Sequence, residues 1–208
     1  MISIFTAMGR RSINKFRVTD PEKQGAWLDI LTPYLRQRGI RDLSADEMAS
    51  LVGVSKATFY KYFRSRDEVV ELFIQRKLNN LKAFIDILND ESTDYIARYR
   101  LSNEEFCRGL ADVSAVFLAD VKDMYPDLWS NIVEFRTFSE DIVHNFYKKA
   151  IRAGVFTNIN PVILRVSDHL AFEHLSDPQF LKENNLELAD ALSQYFEIRF
   201  NGIVNTNA

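Results

Sequence analysis

The sequence predicts an all-α protein. Apolar residues recur at spacings of three and four along most of the chain, which is the period of an amphipathic helix. Prolines and glycines separate these runs, as expected where one helix ends and another begins. No run of alternating apolar and polar residues predicts a strand. The 208 residues suffice for one large or two small helical domains with cores of their own.

The first predicted helix spans residues 21–39, where the apolar side chains follow helical spacing. Asp20 is placed to cap its N-terminus and Pro21 suits its first turn. Gly39 suits the cap at its C-terminus. Pro33 lies inside this helix and is expected to kink it, because proline removes one backbone hydrogen bond.

A helix-turn-helix pattern occupies residues 44–63. Ser44 and Glu47 have the spacing of a capping box at the start of its first helix. Gly53 suits the turn, which needs a residue that adopts a left-handed backbone. Ser55 is placed to cap the second helix. Two short helices joined in this way are typical of proteins that enter the major groove of DNA.

The second helix of this pattern has two different faces. Phe59 and Phe63 lie about 40° apart on one side and are expected to face the core. Ala57, Thr58 and Lys61 lie on the other side, where the small Ala57 permits close approach to base edges. We therefore expect this helix to be the recognition helix.

The rest of the chain predicts five longer helices, separated by a polar, loop-like segment over residues 89–100 and by Pro126, Gly154, Pro161 and Pro178. These helices are expected over residues 66–88, 102–123, 126–153, 161–175 and 186–204.

Charge is unevenly distributed along the chain. The first 77 residues carry 14 Lys and Arg against 9 Asp and Glu, a balance of +5. The other 131 residues carry 12 against 20, a balance of −8, so the formal net charge of −3 hides two different parts. A basic front part is attracted to polyanions such as DNA, although chance segregation on a solvated surface remains an alternative at this point.

Several classes of protein are excluded or disfavoured. The lone cysteine, Cys107, excludes an intrachain disulfide and a zinc site of several thiolates, and it fits a reducing cytosol; an inert thiol is favoured over a redox sensor. Three widely spaced histidines give no metal-site pattern, and no cofactor motif occurs. No nucleophile–base pair favours an enzyme, and acidic pairs such as Asp120 and Asp123 are expected on solvated faces. No apolar run is long enough to span a membrane.

Residues 53–63, Gly-Val-Ser-Lys-Ala-Thr-Phe-Tyr-Lys-Tyr-Phe, followed by Ser-Arg-Asp-Glu at 65–68, resemble the DNA-binding domain of the tetracycline-repressor (TetR) family. The resemblance extends back to Trp27 and covers roughly residues 22–76. It implies a three-helix DNA-binding domain followed by a helical domain for dimerisation and effector binding. We expect an N-terminal arm at residues 1–20, the DNA-binding domain at 21–66 and the second domain at 67–208.

The resemblance also implies roles for single residues in contact with double-stranded DNA. Ser44 and Arg66 would touch phosphates, and Tyr60 and Tyr62 would contact the DNA backbone. Base edges would be faced or bordered by Ser55, Lys56, Ala57, Thr58 and Lys61. Core packing is the alternative for the two tyrosines, and a solvated surface is the alternative for the lysines.

The acidic part resembles the C-terminal domain of the same family mainly in its layout. There the last two long helices pair with a second subunit, and the central helices enclose a pocket for a small effector. The helices at 161–175 and 186–204 are apolar over more surface than one core face needs, which favours a homodimer over a helix pair buried in one subunit. The candidate pocket residues, each of which has plain core or surface packing as its alternative, are Phe106, Leu110, Phe117, Trp129, Phe135, Phe138, His144, Tyr147 and His169.

The sequence therefore predicts a cytoplasmic, homodimeric transcriptional regulator, a repressor released from its operator by an unknown small-molecule effector. A DNA-bound structural protein of the same fold that needs no small ligand is the alternative. The basic cluster Arg10, Arg11, Lys15 and Arg17 in the arm suggests a further contact with a neighbouring minor groove, with packing on the body as the alternative.

Overall fold

The computed structural model describes residues 20–204, so the predicted N-terminal arm lies outside the described residues, apart from Asp20. The described chain is helical, and its one β-bridge joins Phe156 to Val204. The helices are α1 (Pro21–Arg38), α2 (Ala45–Leu51), α3 (Lys56–Tyr62), α4 (Arg66–Leu81), α5 (Ala83–Asn89), α6 (Tyr95–Leu110), α7 (Ala115–Met124), α8 (Pro126–Arg152), α9 (Pro161–Leu175), α10 (Pro178–Glu183) and α11 (Leu188–Ile203).

The caps predicted for the first three helices are confirmed. The side chain of Asp20 accepts a hydrogen bond from the backbone of Lys23 at 3.0 Å. Ser44 and Glu47 form a complete capping box at the start of α2. Ser55 caps α3 by accepting from the backbone of Thr58 at 3.1 Å. These caps satisfy N–H groups that the first turn of a helix leaves without partners.

The first helix runs unbroken to Arg38. Pro33 lies inside it at an exposed position and does not end it. Gly39 then ends the helix with a φ of +73°, a backbone conformation that glycine adopts at no steric cost.

Where a single helix was expected over residues 102–123, the chain forms α6 and α7. The chain turns after Leu110, and Ser114 caps α7 by accepting from the backbone of Phe117 at 3.2 Å. The hydroxyl of Ser114 also donates to the carbonyl of Arg36 at 2.7 Å. The break therefore places the start of α7 against the end of α1.

Three other boundaries differ from the prediction. The helix expected over 66–88 divides at Lys82 into α4 and α5, where the backbone N–H of Lys82 donates to Asn79. The segment expected to be a loop up to residue 100 becomes helical at Tyr95, because Asp94 caps α6. The short helix α10, capped by Asp177, was not predicted.

Asp120 was expected on a solvated face, and that expectation is wrong. Only 6% of Asp120 is exposed. Its Oδ2 atom accepts hydrogen bonds from the backbone N–H groups of Ile40 at 2.7 Å and Arg41 at 2.8 Å. The spacing along α7 could not reveal this burial, because both partners lie about 80 residues earlier in the chain.

Two apolar clusters hold the described helices together. The first joins α1, α2, α3 and α4 to α7, α10 and the start of α11, so the helix-turn-helix shares a core with part of the acidic half. The second lies among α5, α6, α8, α9 and the end of α11. Among the described helices, none is long and apolar enough to cross a membrane.

Candidate DNA-binding surface and internal cavity

Aromatic packing fixes the recognition helix α3 against α1. Phe59 and Phe63 are fully buried. The ring of Trp27 in α1 stacks on Phe59 with their centroids 6.1 Å apart, and it lies 6.0 Å from Phe63. Stacked and tilted aromatic pairs of this kind add to the stability that burial supplies. The inward face predicted for α3 is therefore confirmed.

The opposite face of α3 is open to solvent. Lys56, Ala57, Tyr60 and Lys61 are all exposed. Nζ of Lys56 lies 2.7 Å from a carboxylate oxygen of Asp46 in α2, which neutralises part of the positive charge on this surface. The lysine side chains and the phenol of Tyr60 are donors that can reach phosphate or base edges.

Three of the expected contact residues have hydroxyl groups that already serve the fold. Ser44 and Ser55 are exposed, and their hydroxyls cap α2 and α3. The hydroxyls of Ser55 and Thr58 lie 2.9 Å apart and hydrogen bond to each other. The exposed helix starts at α2 and α3 also present backbone N–H groups, which attract phosphate.

Tyr62 and Arg66 lie at the border of the exposed surface. Tyr62 is half-buried, because its ring contacts Trp27 edge-on with the centroids 4.8 Å apart. Nζ of Lys23 lies 4.8 Å from the centre of the Tyr62 ring. Arg66 is also half-buried, and its Nε atom lies 3.8 Å from Asp67. The ring of Tyr62 therefore packs against the core, and the part of the ring that is not buried borders the exposed surface.

A cavity of about 170 Å³ lies in the acidic half and is lined by residues of α4 to α9 and α11. Its wall is mainly aromatic and aliphatic. Phe117 and Leu118 contribute to this wall from α7, the helix that also carries Asp120. The same short helix therefore contacts both the cavity and the end of α1.

Seven of the nine candidate pocket residues line this cavity, and two do not. The lining residues are Phe106, Leu110, Phe117, Trp129, Phe135, His144 and Tyr147. Phe138 lies on the outer face of α8, where 55% of it is exposed. His169 does not line the cavity, although its Nδ1 atom lies 3.0 Å from Glu140, which does.

The polar part of the cavity wall was not predicted from the sequence, because the candidate residues were mainly aromatic residues and histidines. Asn103, Arg136, Glu140, Arg165 and Asp168 also line the cavity. Charged residues within an otherwise apolar helix face could have indicated this polar part, since such residues are seldom buried without partners.

Asp168 is the centre of a polar network at this part of the wall. It accepts hydrogen bonds from the hydroxyls of Tyr147 at 2.8 Å and Tyr195 at 2.5 Å. Nε of Arg199 lies 3.0 Å from the same carboxylate. Burial raises the pKa of Asp168, although these partners oppose the shift. Burial also raises the pKa of Tyr147 and Tyr195, so both phenols remain donors.

Exposed apolar side chains occur on α8, α9 and α11, and α9 packs against both of the other helices. Six of these residues each have at least 49% of their surface exposed in the single chain. They are Phe138, Val162, Ile163, Val166, Leu170 and Ile198. A cluster of this kind on a single chain marks an interaction surface. We call it the outer apolar face.

Comparison with known proteins identifies the front part of the chain. The model of the family described as bacterial regulatory proteins, tetR family, matches residues 34–73. This range runs from the end of α1 through the helix-turn-helix into α4. The match therefore falls on the part of the chain whose geometry suits entry into the major groove.

Relatives extend the similarity to most of the chain. The chain is 22% identical over 170 residues to the Bacillus subtilis protein named uncharacterized HTH-type transcriptional regulator YvaF, covering 81% of this chain and 89% of that one. It is 29% identical over 86 residues to the HTH-type transcriptional regulator EthR of Mycobacterium tuberculosis, covering 41% and 38%. A TetR-family regulator from Marinobacter aquaeolei has the same fold, with a TM-score of 0.69, 19% identity and coverage of 89% and 92%.

These relatives are named as transcriptional regulators and not as enzymes, in agreement with the exposed recognition helix and the family match. Residues 34–73 therefore match the tetR family of bacterial regulatory proteins, and the chain has the fold of a TetR-family regulator.

Proposed function

We propose that this protein is a homodimeric, cytoplasmic repressor that leaves its operator when a small molecule occupies the cavity. The observation that carries the proposal is the position of α7. Phe117 and Leu118 of this helix line the cavity, whereas Asp120 holds the end of α1. A ligand that displaces the aromatic side of α7 would shift the helix pair proposed to enter DNA, and this shift would couple the two sites.

The operator contacts proposed for each subunit follow the exposed surface of α2 and α3. Lys56, Ala57, Thr58 and Lys61 would face or border base edges, together with Ser55. Phosphates would be contacted by Ser44, Tyr60, Tyr62 and Arg66. The proposed division into a DNA-binding domain at residues 21–66 and an effector and dimerisation domain at 67–208 agrees with this arrangement, although the two parts share a core.

A homodimer is supported by the outer apolar face. Four of its six members, Val162, Ile163, Val166 and Leu170, lie on α9 at spacings of three and four or next to each other. Burying exposed apolar surface is favourable by about 25 cal/mol per Å². Two copies of the face would place two recognition helices on DNA half-sites about one helical turn apart.

Selection from a random DNA library with the full chain tests the proposal. We expect one enriched palindromic sequence, bound with an affinity that falls with salt by a slope of about −0.9 per phosphate neutralised. Lys61→Gln should weaken binding, whereas Lys182→Gln, at an exposed position on α10, should not. Failure to enrich any sequence would contradict the proposal. Operator binding that no small molecule releases would favour the alternative, a structural protein on DNA.

A further inference from the structure

The cavity wall contains two buried nitrogen atoms that make no hydrogen bond within the described residues. They are Nε of Arg136 and Nδ1 of His144, both on α8. Nε of Arg136 lies 3.8 Å from Oε1 of Glu140, which is an ion pair but is beyond hydrogen-bond distance. Only 9% of His144 is exposed. A buried polar atom without a partner destabilises the fold, so native structures nearly always supply one. A molecule bound in the cavity would lie where it can hydrogen bond to both nitrogen atoms.

The carboxylates that line the same cavity already have partners. Both oxygens of Glu140 lie close to Nδ1 of His169, at 3.0 and 3.1 Å. The oxygens of Asp168 accept from two tyrosine hydroxyls, as described above. Arginine Nε is always a donor, and Nδ1 of an imidazole donates in one neutral tautomer and in the protonated form. Nε of Arg136 therefore needs an acceptor oxygen, and Nδ1 of His144 needs one as well when it carries a proton.

The charges around His144 favour an anion. Burial lowers the pKa of His144 most, and Lys148 and Arg165 lower it further, whereas the Pro161 backbone and Asp141 oppose them less strongly. Among the charged groups that act on His144, the two cations therefore outweigh the one carboxylate. An anion placed beside the ring would be attracted, and a charge-assisted hydrogen bond to it is stronger than a neutral one.

The rest of the wall fits an apolar body. Apart from the polar group on α8 and α9, the lining is formed mainly by phenylalanine, leucine, isoleucine and valine side chains. The volume of about 170 Å³ slightly exceeds the roughly 150 Å³ of an engineered apolar cavity that stays dry and binds benzene. The cavity therefore suits one aromatic ring or a short alkyl chain.

We propose that the effector is an apolar molecule that ends in a carboxylate, with Arg136 and His144 as the residues that bind its oxygen atoms. This inference rests on the proposed effector function of the cavity and specifies the chemical class of the ligand. His144 is one of the candidate pocket residues that the sequence indicated, whereas Arg136 is not.

Titration calorimetry on the full chain tests the ligand class. The probes are hexanoate, octanoate and 4-methylbenzoate, each compared with the alcohol and the amine that have the same apolar body. We expect at least one carboxylate to bind about tenfold more tightly than its matched alcohol and amine. An alcohol or amine that binds equally well or better overturns the proposal, as does the absence of binding by every carboxylate.

Substitutions test the two residues. Arg136→Met and His144→Phe keep much of the side-chain volume and remove the nitrogens, so each should weaken carboxylate binding about tenfold and leave the alcohol unaffected. Arg136→Lys should restore part of the loss. Arg152→Met, at an exposed position on the same helix, is the matched control and should bind like the parent protein. Unchanged carboxylate binding in both of the first two variants overturns the assignment.

Measurements on DNA separate this proposal from the proposed function. Each variant is checked for thermal unfolding and for affinity to the selected operator, so a folding defect is recognised as such. A protein that binds the operator but no carboxylate would overturn the ligand class and leave the DNA-binding regulator intact. A protein that binds a carboxylate but no specific DNA would overturn the proposed function alone.

Discussion

Gly39 lies so close to Asp120 that a Cβ atom on the glycine would be 2.5 Å from the carboxylate oxygen Oδ2. The same oxygen accepts hydrogen bonds from the backbone N–H groups of Ile40 and Arg41. The absence of a side chain at residue 39 therefore lets a carboxylate from α7 satisfy two backbone donors at the end of α1. Asp120 lies about 80 residues after Ile40 and Arg41 in the chain. These residues nevertheless form a contact between the end of α1 and the helix that lines the cavity.

The first prediction concerns the carboxylate of Asp120. Asp120→Ala leaves the N–H groups of Ile40 and Arg41 without an acceptor, and we expect the free energy of unfolding to fall by about 2–4 kcal/mol. Urea unfolding measures this change. Asp123→Ala is the matched control on the same helix, because Asp123 is exposed and its ion pair with Arg41, at 3.2 Å, contributes at most about 1 kcal/mol. Equal losses in the two variants would contradict the role given to Asp120.

The second prediction compares two glycines with positive φ angles, of which only Gly39 has a close neighbour. Gly39 and Gly53 have φ angles of +73° and +72°, but nothing lies within 4 Å of a Cβ atom on Gly53. Gly53→Ala should therefore cost only the strain of a left-handed alanine, about 1–2 kcal/mol. Gly39→Ala displaces Asp120, and it must also adopt a ψ angle of −163° at positive φ, a combination that is nearly exclusive to glycine, so we expect a clearly larger loss of stability in urea unfolding. Equal effects in the two variants would contradict this expectation.

Much of the fold followed from local signals in the sequence. The caps at Asp20, Ser44 and Ser55 and the inward face of α3 could be predicted, because caps and helical periodicity depend on residues a few positions apart. The break between α6 and α7 could not be, since Ser114 acts both as a cap and as a donor to the distant Arg36.

The DNA-binding surface could likewise be predicted from local signals, whereas the cavity could be predicted only in part. The exposed face of α3 follows from helical spacing within seven residues. The cavity depends on how α4 to α11 pack, so aromatic residues indicated part of its wall but not which residues turn outward. Phe135 and Phe138 are both phenylalanines of α8, so residue type does not distinguish them, yet only Phe135 lines the cavity.

The third prediction concerns the ion pair between Lys56 and Asp46. This pair places a negative charge beside the recognition helix, where DNA phosphates must compete with it for the lysine. Asp46→Asn should strengthen operator binding severalfold at low salt, because it removes the competitor and a repulsive charge. Lys56→Gln should weaken binding and reduce the slope of log affinity against log salt by about 1.

Electrophoretic or anisotropy titrations over a range of salt concentrations measure both effects. Asp42→Asn, at another exposed acidic position of the front part, is the comparison for the general effect of net charge. If Asp42→Asn strengthens binding as much as Asp46→Asn, the effect belongs to total charge and not to the release of Lys56.

The fourth prediction concerns the outer apolar face. Val166 and Leu170 are about half exposed in the single chain, 49% and 58%, and lie one helical turn apart on α9. Replacing both with glutamate places two charges where the proposed interface would bury them, and a buried charge without a partner is strongly unfavourable. We expect the double variant to sediment as a monomer at concentrations where the parent protein is a dimer. Its helix content should be unchanged, since neither side chain contributes to a buried cluster.

Loss of the dimer should also weaken operator binding, because two half-sites would no longer be bound by one particle. Leu101→Glu is the control, since Leu101 on α6 is 48% exposed and is not a member of the outer apolar face. This control should stay dimeric and bind the operator like the parent protein. A double variant that remains dimeric would exclude α9 as the centre of the interface, and dissociation of both variants would show that a surface charge alone disrupts the assembly.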